Sequence, residues 1–175
     1  EIKERVKEGR WIIVGGWWIQ PDCNAPSGES YVRQGLYGQK YFEEKFGVKA
    51  VCGYNVDSFG HNGNLPQILK KSGMDYYVFM RPGRHEKGVD GETFLWKSAD
   101  GSQVKAFRIP FEYCTWPEEI EEHVKRCAGE IKNPGNGIMC FYGVGNHGGG
   151  PTKKNIESIL GMNKREDMPE LIFAS

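Results

Sequence analysis

An acidic side chain stands between an apolar run and a glycine-rich turn in the segment Gly53–Asn62. Residues 48–56 are mainly apolar and lead into Asp57, and a helix is predicted to begin near Asn64. In parallel α/β sheets and barrels, side chains that follow the carboxyl ends of strands face the substrate. A carboxylate there is costly to desolvate unless a cation compensates it. Asp57 is therefore a candidate metal ligand, nucleophile or base.

Two further predicted strands also end in polar residues. Arg81 follows residues 76–80, and Asn146 and His147 follow residues 137–142 within a glycine-rich loop. Because the strands are predicted to be parallel, these residues should point to the same end of the sheet as the acid. Arg81 has two readings: its guanidinium could hold substrate hydroxyls or a carboxylate, or it could pair with a loop acid.

Aromatic residues lie beside the predicted strand ends, as in many carbohydrate sites. Phe59 could stack on the face of a sugar or pack in the core, and the same alternatives hold for Trp17 and Trp18, which precede Asp22. His61 is expected to fix its loop through hydrogen bonds rather than to bind a metal.

The first half of the chain alternates strands and helices with short connections, which predicts parallel strands with right-handed crossovers. Serine is a favoured helix N-cap and glycine a favoured C-terminal stop. The predicted elements are strand 11–16, a helix between Ser27 and Gly47, strand 48–56, helix 64–72 and strand 76–80.

The second half begins with a predicted β-hairpin insertion near residues 94–107, since Asp-Gly is a strong hairpin turn signal. A capping box at Thr115 then predicts a helix. The remaining predicted elements are strand 137–142, helix 153–160 and strand 170–174. The fold class is α/β, with parallel β/α repeats forming most of a barrel, because a closed eight-unit barrel needs about 250 residues.

Composition also limits which partners and which cellular location are expected. The formal net charge of the 175 residues is zero, which gives no reason to expect nucleic acid as a partner. No apolar run approaches the roughly 20 residues of a membrane span, so no membrane partner is expected. The five cysteines are scattered without a CxxC spacing, which favours a reducing, cytoplasmic location. His85 and His123 are predicted to lie on the surface.

Several stretches together resemble the glycoside hydrolase family 38 α-mannosidases, in a bacterial-type branch, over nearly the whole chain. The specific stretch is DxFGHxxxxPxIL, and the glycine loop supports it. The stretches are Gly15-Gly16-Trp17, Pro21-Asp22, Gly28-Glu29-Ser30, Arg33-Gln34, Asp57-Ser58-Phe59-Gly60-His61, residues 65–74 and residues 145–152.

The resemblance implies a seven-stranded β/α barrel, the catalytic N-terminal domain of a larger protein, of which residues 1–175 would be one domain incomplete at both ends. It implies a retaining mechanism through a covalent mannosyl-aspartate intermediate. It also implies that Asp57 is the nucleophile and a zinc ligand, that Phe59 packs against the sugar, and that Arg81 contacts the substrate. The implied substrates are α-mannosides or mannose-containing oligosaccharides.

Two departures from the family pattern bear on zinc and on the acid. The family's zinc site also uses a His-x-Asp pair upstream and a histidine far downstream, and neither is found here. One carboxylate does not hold zinc tightly, so zinc is expected to bind this chain weakly or not at all, and the isolated chain is expected to be inactive. Many relatives carry an aspartate where Asn146 or His147 stands, which leaves the general acid unassigned; both residues stay candidate substrate-binding positions.

Two alternatives to a mannosidase stay open at this point. A metal-dependent polysaccharide deacetylase on a similar barrel would use Asp57 as base or ligand and release acetate. A carbohydrate-binding domain without catalysis would bind sugar without metal, whatever residue stands at position 57. A partial barrel would also leave sheet edges uncovered, which predicts association with the rest of the parent chain or self-association.

Overall fold

The computed structural model describes residues 1–89, 91–133, 135, 137–145 and 149–174. Internal contacts divide the chain into two compact units, Glu1–Arg108 and Ile109–Ala174. Among the described helices, none combines the length and the apolar character that crossing a membrane requires.

The first unit is built around a mixed four-stranded sheet with the order β1-β2-β4-β3. β1 pairs with β2 and β2 with β4 in parallel, whereas β3 pairs with β4 antiparallel. The elements are α1 (Ile2–Lys7), α2 (Gly28–Phe46), β1 (Cys52–Asn55), α3 (Leu65–Lys71), β2 (Tyr76–Phe79), β3 (Thr93–Lys97) and β4 (Gln103–Arg108). The predicted α/β class and the parallel pairing of β1 with β2 are confirmed.

Helix α2 begins and ends where its sequence predicts. The Ser27 side chain accepts a hydrogen bond from the Ser30 amide, and Gly47 adopts a left-handed φ of 72° after the last turn. Midway along α2, Gly38 permits a close approach: a Cβ there would lie 2.5 Å from the Trp17 carbonyl carbon. The helix therefore packs directly on the backbone that precedes the Asp22 turn.

The core of the first unit lies between α3 and the sheet. Leu65 and Leu69 of α3 are fully buried against Tyr77 of β2, with Met74 in the connection between them. This packing fixes the loop between β1 and α3, which carries Asp57.

The predicted hairpin is confirmed as β3–β4, and its second strand is also part of the main sheet. Its Asp100 carboxylate accepts hydrogen bonds from the Ser98 hydroxyl and the Ser102 amide, and Gly101 turns with a φ of 88°. These hydrogen bonds, first that from Ser98, lower the pKa of Asp100 to about 2. β4 also pairs in parallel with β2, so the hairpin extends the main sheet.

The predicted strand 11–16 is wrong as a strand. Its single ladder contact is an isolated parallel bridge between Gly15 and Gly53. Gly15 and Gly16 have φ values of 100° and 65°, which are incompatible with an extended strand. Strands 137–142 and 170–174 are likewise not formed in the described part of the chain, where only Gly143 makes an isolated antiparallel bridge, to Thr115. The described residues form a four-stranded sheet and do not show the predicted seven-stranded barrel.

The second unit contains helices α4 (Ile120–Ala128) and α5 (Lys153–Met162), whose apolar faces pack together. Thr152 and Asn155 form a capping box at the start of α5. The capping box predicted at Thr115 is wrong, because the Thr115 amide donates to the Gly143 carbonyl and α4 begins five residues later. The buried side chains Ile120, Val124 and Cys127 lie along one face of α4.

Candidate active site

Asp57 and Arg81 occupy equivalent places after neighbouring parallel strands. β1 ends at Asn55 and β2 at Phe79, and these two residues are paired in the sheet. Asp57 and Arg81 each follow two residues later. The register of the sheet thus brings a carboxylate and a guanidinium that are distant in sequence to one edge of the sheet.

The two side chains meet in a partly shielded ion pair. Arg81 Nε lies 3.0 Å from Asp57 Oδ1, and the side chains are 43% and 40% exposed. Both of these atoms are buried, and neither has a hydrogen-bond partner among the described residues. The short distance without a hydrogen bond indicates that the Nε–H does not point at the oxygen. The remaining exposure of Asp57 therefore lies elsewhere on its carboxylate end.

Phe59 completes a surface of three side chains with the ion pair. The guanidinium carbon of Arg81 lies 4.8 Å from the centre of the Phe59 ring, within cation–π range. The ring is nevertheless 72% exposed, so it is not part of the core. An exposed ring beside an acid and a guanidinium offers a ligand one apolar face and two charged groups.

His61 holds the backbone of Arg81, as the sequence predicts for a loop-fixing residue. Its Nε2 lies 2.6 Å from the Arg81 carbonyl oxygen, and its Nδ1 lies 3.1 Å from the Tyr77 hydroxyl. A carbonyl only accepts, so Nε2 carries the hydrogen and Nδ1 accepts from the tyrosine. Burial lowers the pKa of His61, although the bond to the Arg81 carbonyl acts in the opposite direction.

A cavity of about 380 Å³ opens at the same edge of the sheet. It includes Arg108, which is paired with Phe79 at the end of β4 and is buried. Arg108 Nη1 donates to the Lys87 carbonyl at 2.6 Å, while its Nε has no hydrogen-bond partner among the described residues. Burial, and then the charge of Arg84, lower the pKa of Arg108. The aromatic lining comes from His61, Phe79, Phe94 and Trp96.

Arg108 was not among the predicted site residues, since it directly follows the predicted hairpin near residues 94–107. The available signal was its position: a basic residue that ends a strand of alternating polar and apolar residues immediately before Ile109-Pro110. Only the parallel pairing of β4 with β2 shows that this strand ends at the same edge as β1 and β2.

The residues around Asp22 serve the fold. The Trp17 indole donates to Asn55 Oδ1 at 2.8 Å in the core, whereas Trp18 is exposed. The Asp22 carboxylate accepts from the Ala25 and Asn24 amides, and these bonds lower its pKa. Asp22 is therefore engaged as a turn residue, and Trp17 takes the core-packing alternative.

The predicted site residues of the glycine loop, Asn146 and His147, lie outside the described residues. The structure brings Asp57, Phe59 and Arg81 together and leaves those two positions as predictions.

The described residues do not fit a complete zinc site at Asp57. Among the described side chains, Asp57 does not belong to a cluster of possible metal ligands. In the described part of the chain, one group of three histidine and cysteine side chains has its ligand atoms within 4.8 Å of one another, and that group does not include Asp57. The charged partner of Asp57 is instead a cation, Arg81. Protein zinc sites take three or four protein ligands, so any zinc at Asp57 would need ligands from beyond these residues.

Comparison with known proteins assigns the chain to a class of glycoside hydrolases. Residues 1–175 match the profile described as Glycosyl hydrolases family 38 N-terminal domain, and the chain belongs to this family. Alpha-mannosidase G of Dictyostelium discoideum is 33% identical over 176 residues, 99% of this chain and 16% of that protein. The alpha-mannosidase of Saccharomyces cerevisiae is 33% identical over 168 residues, 92% of this chain and 15% of that protein.

A solved structure shares the fold. The crystal structure of an alpha-mannosidase from Enterococcus faecalis V583 matches with a TM-score of 0.70 and 22% identity, covering 93% of this chain and 19% of that chain. The chain thus spans about a sixth of the length of the curated relatives it matches.

Proposed function

We propose that this chain is part of the catalytic domain of a retaining α-mannosidase, with Asp57 as its nucleophile. The observation that carries the proposal is the meeting of Asp57 and Arg81 beside the exposed Phe59 ring, in a chain of family 38. The substrates would be α-mannosides or mannose-containing oligosaccharides, since the relatives are named alpha-mannosidases.

In this mechanism, an oxygen of Asp57 forms a bond to the anomeric carbon while the bond from that carbon to the leaving oxygen breaks. A general acid, which stays unassigned, gives its proton to the leaving oxygen. Water then hydrolyses the glycosyl-aspartate ester, so that two inversions give overall retention. Oδ1 is buried against Arg81, which leaves Oδ2 as the attacking oxygen.

Phe59 and Arg81 would orient the sugar. Ring stacking on the apolar face of a pyranose positions it without consuming hydroxyl contacts, and the Arg81 fork donates to hydroxyl oxygens. His61 acts through Arg81, because it fixes the carbonyl of that residue at 2.6 Å. Correct positioning of this kind lowers the entropic part of the barrier. Asn146 and His147 stay proposed substrate-binding residues, as the resemblance to the family implies.

We further propose that the whole enzyme is a zinc enzyme with a seven-stranded barrel, to which this chain contributes Asp57 as one ligand. Zinc would supply Lewis-acid polarisation of substrate oxygens. The isolated chain is expected to hold zinc only weakly at Asp57 and to be inactive. A reducing, cytoplasmic location is consistent with five cysteines that are all free.

The test compares wild type, Asp57→Asn and the control Asp22→Asn in the full-length protein. We expect Asp57→Asn to lower kcat on an aryl α-mannoside by roughly a thousandfold or more, and Asp22→Asn to leave it nearly unchanged. A fluorinated mannosyl donor that slows the second step should label Asp57 in the wild type, as peptide mass spectrometry would show. Wild-type turnover in Asp57→Asn, or β-mannose as the first product by NMR, would refute the proposal.

A further inference from the structure

A second group of ligand side chains lies within the unit Ile109–Ala174, and neither the family assignment nor the proposed mechanism uses it. It consists of His123, Cys127 and Cys140, whose ligand atoms all lie within 4.8 Å of one another. His123 and Cys127 are buried, and Cys140 is half-buried. We propose that these three side chains form a metal site selective for zinc or a similar thiophilic divalent ion, separate from any zinc held by Asp57.

Helix α4 presents two of the ligands in a chelating arrangement. His123 and Cys127 are four residues apart, so they project from one face of the helix. His123 Nε2 lies 3.8 Å from Cys127 Sγ. Zinc bonds of about 2.3 Å to sulfur and 2.0–2.1 Å to nitrogen at tetrahedral angles place these two atoms about 3.6 Å apart. The helix therefore holds both donors near the required separation before any metal arrives.

The second ring nitrogen of His123 has the partner expected of a ligating histidine. Its Nδ1 lies 3.4 Å from a carboxylate oxygen of Glu112. Metal-bound histidines commonly donate their other N–H to a carboxylate, which fixes the tautomer with Nε2 free to bind. In the chain as it stands, Nε2 lies 3.0 Å from the Phe141 carbonyl oxygen. A carbonyl only accepts, so Nε2 carries a hydrogen in this contact. Metal binding requires Nε2 to lose that hydrogen and the Phe141 carbonyl to move aside, because a zinc–nitrogen bond of about 2.0 Å leaves no room for a metal between atoms 3.0 Å apart.

The charges favour binding in a buried place. Zinc binding to Cys127 and Cys140 converts two thiols to thiolates and releases two protons, and His123 binds in its neutral form. The dication and the two thiolates sum to zero, which limits the desolvation cost of the buried site. Two sulfurs and one imidazole are the donor set that zinc prefers over magnesium or calcium. Three protein ligands would leave one tetrahedral position for a further donor.

The test is a cobalt titration of the reduced chain under anaerobic conditions. We expect one Co²⁺ per chain with thiolate-to-cobalt charge-transfer absorption, and loss of that absorption when one equivalent of Zn²⁺ displaces the cobalt. Cys140→Ala should weaken cobalt binding at least tenfold. Cys52→Ala removes a half-buried thiol outside the group and should bind like the wild type. Asp57→Asn should also retain the absorption.

The wild-type spectrum decides the matter even where a variant fails to fold. The absence of charge-transfer bands in wild type with five titratable thiols would overturn the proposal, as would equal bands in Cys140→Ala. A disulfide between Cys127 and Cys140 that persists under reducing conditions, detected as fewer than five titratable thiols, would also overturn the proposal. Charge-transfer bands that persist in Asp57→Asn would show that this site is separate from the proposed catalytic one. If Asp57 were not the nucleophile, the cobalt spectrum would still be expected.

Discussion

Arg81 Nε lies 3.0 Å from Asp57 Oδ1, although each residue belongs to the loop after a different strand. The contact follows from the parallel register of β1 and β2, which pairs Asn55 with Phe79 two positions earlier. It is reinforced from behind by His61, which contacts the Arg81 carbonyl. The edge of the sheet therefore positions these side chains, and single substitutions can test the role of each one separately.

Replacing Arg81 should distinguish its charge from its shape. Lysine keeps the charge but lacks the planar fork, whereas glutamine lacks both. In the full-length protein we expect kcat/KM to fall roughly tenfold for Arg81→Lys and roughly a hundredfold for Arg81→Gln, measured on an aryl α-mannoside. The control is Arg33→Gln, which removes an exposed helix arginine paired with Glu29. Equal activity of Arg81→Gln and wild type would contradict a substrate-orienting role.

Phe59→Ala should separate a sugar-stacking ring from a packing ring. The side chain is 72% exposed, so its removal should change the free energy of unfolding by no more than about 0.5 kcal/mol. Loss of a stacking surface should raise KM about tenfold in the full-length protein. Urea denaturation and steady-state kinetics give the two quantities. A large loss of stability with unchanged KM would support the packing alternative instead.

Local signals predicted the parts of the site that depend on the nearest strands. Ser27 and Gly47 mark the ends of α2, and the acid after one apolar run and the arginine after the next predicted that Asp57 and Arg81 lie at the same end of the sheet. These predictions succeeded because capping and the direction of parallel strands are local properties of the chain.

The failures have tertiary causes. Residues 11–16 have strand composition, but Gly15 and Gly16 turn the backbone out of the extended region. His123, predicted on the surface, is 3% exposed because Glu112 and the Phe141 carbonyl supply its partners from distant positions. A single histidine in an otherwise charged helix gives no sign of such partners. Arg108 was missed for the same reason, since its place depends on which strand β4 pairs with.

The buried His61 should make stability fall in mild acid. Burial lowers its pKa from the ordinary value of 6.5, so the unfolded chain binds a proton that the folded chain excludes. The stabilisation is complete above about pH 6.5 and is lost as pH falls through the lower folded pKa. His123 acts with the opposite sign: burial lowers its pKa, but contacts with Cys127, Glu112 and the Phe141 carbonyl raise it overall.

The difference between wild type and His61→Gln isolates the first effect, since His123 is common to both proteins. Urea denaturation between about pH 5 and pH 7.5 should give an advantage of wild type that shrinks toward acid pH. An advantage that is constant with pH would mean that His61 titrates alike in the folded and unfolded chains.

Two helical glycines should respond in opposite directions to the same substitution. At Gly38 of α2, a Cβ would lie 2.5 Å from the Trp17 carbonyl carbon and 2.7 Å from the Gly16 carbonyl oxygen, both of them backbone atoms that cannot rotate aside. At Gly161 of α5, no described atom outside the adjacent residues and the helix's own backbone lies within 4 Å of the added Cβ. Alanine gains up to about 1 kcal/mol over glycine in a helix, and Gly161→Ala should show part of that gain.

Gly38→Ala has the same gain in helix propensity, but α2 must move away from residues 16–18 to admit the methyl group. Overpacking of this kind costs about 1–3 kcal/mol, so we expect a net loss of stability in urea denaturation. The shift would also loosen the Trp17 indole from Asn55, which is the last residue of β1 before the Asp57 loop. A full-length Gly38→Ala enzyme should therefore lose activity as well as stability, whereas Gly161→Ala should keep both. Equal stabilisation by the two substitutions would show that the helix does not rest on this backbone.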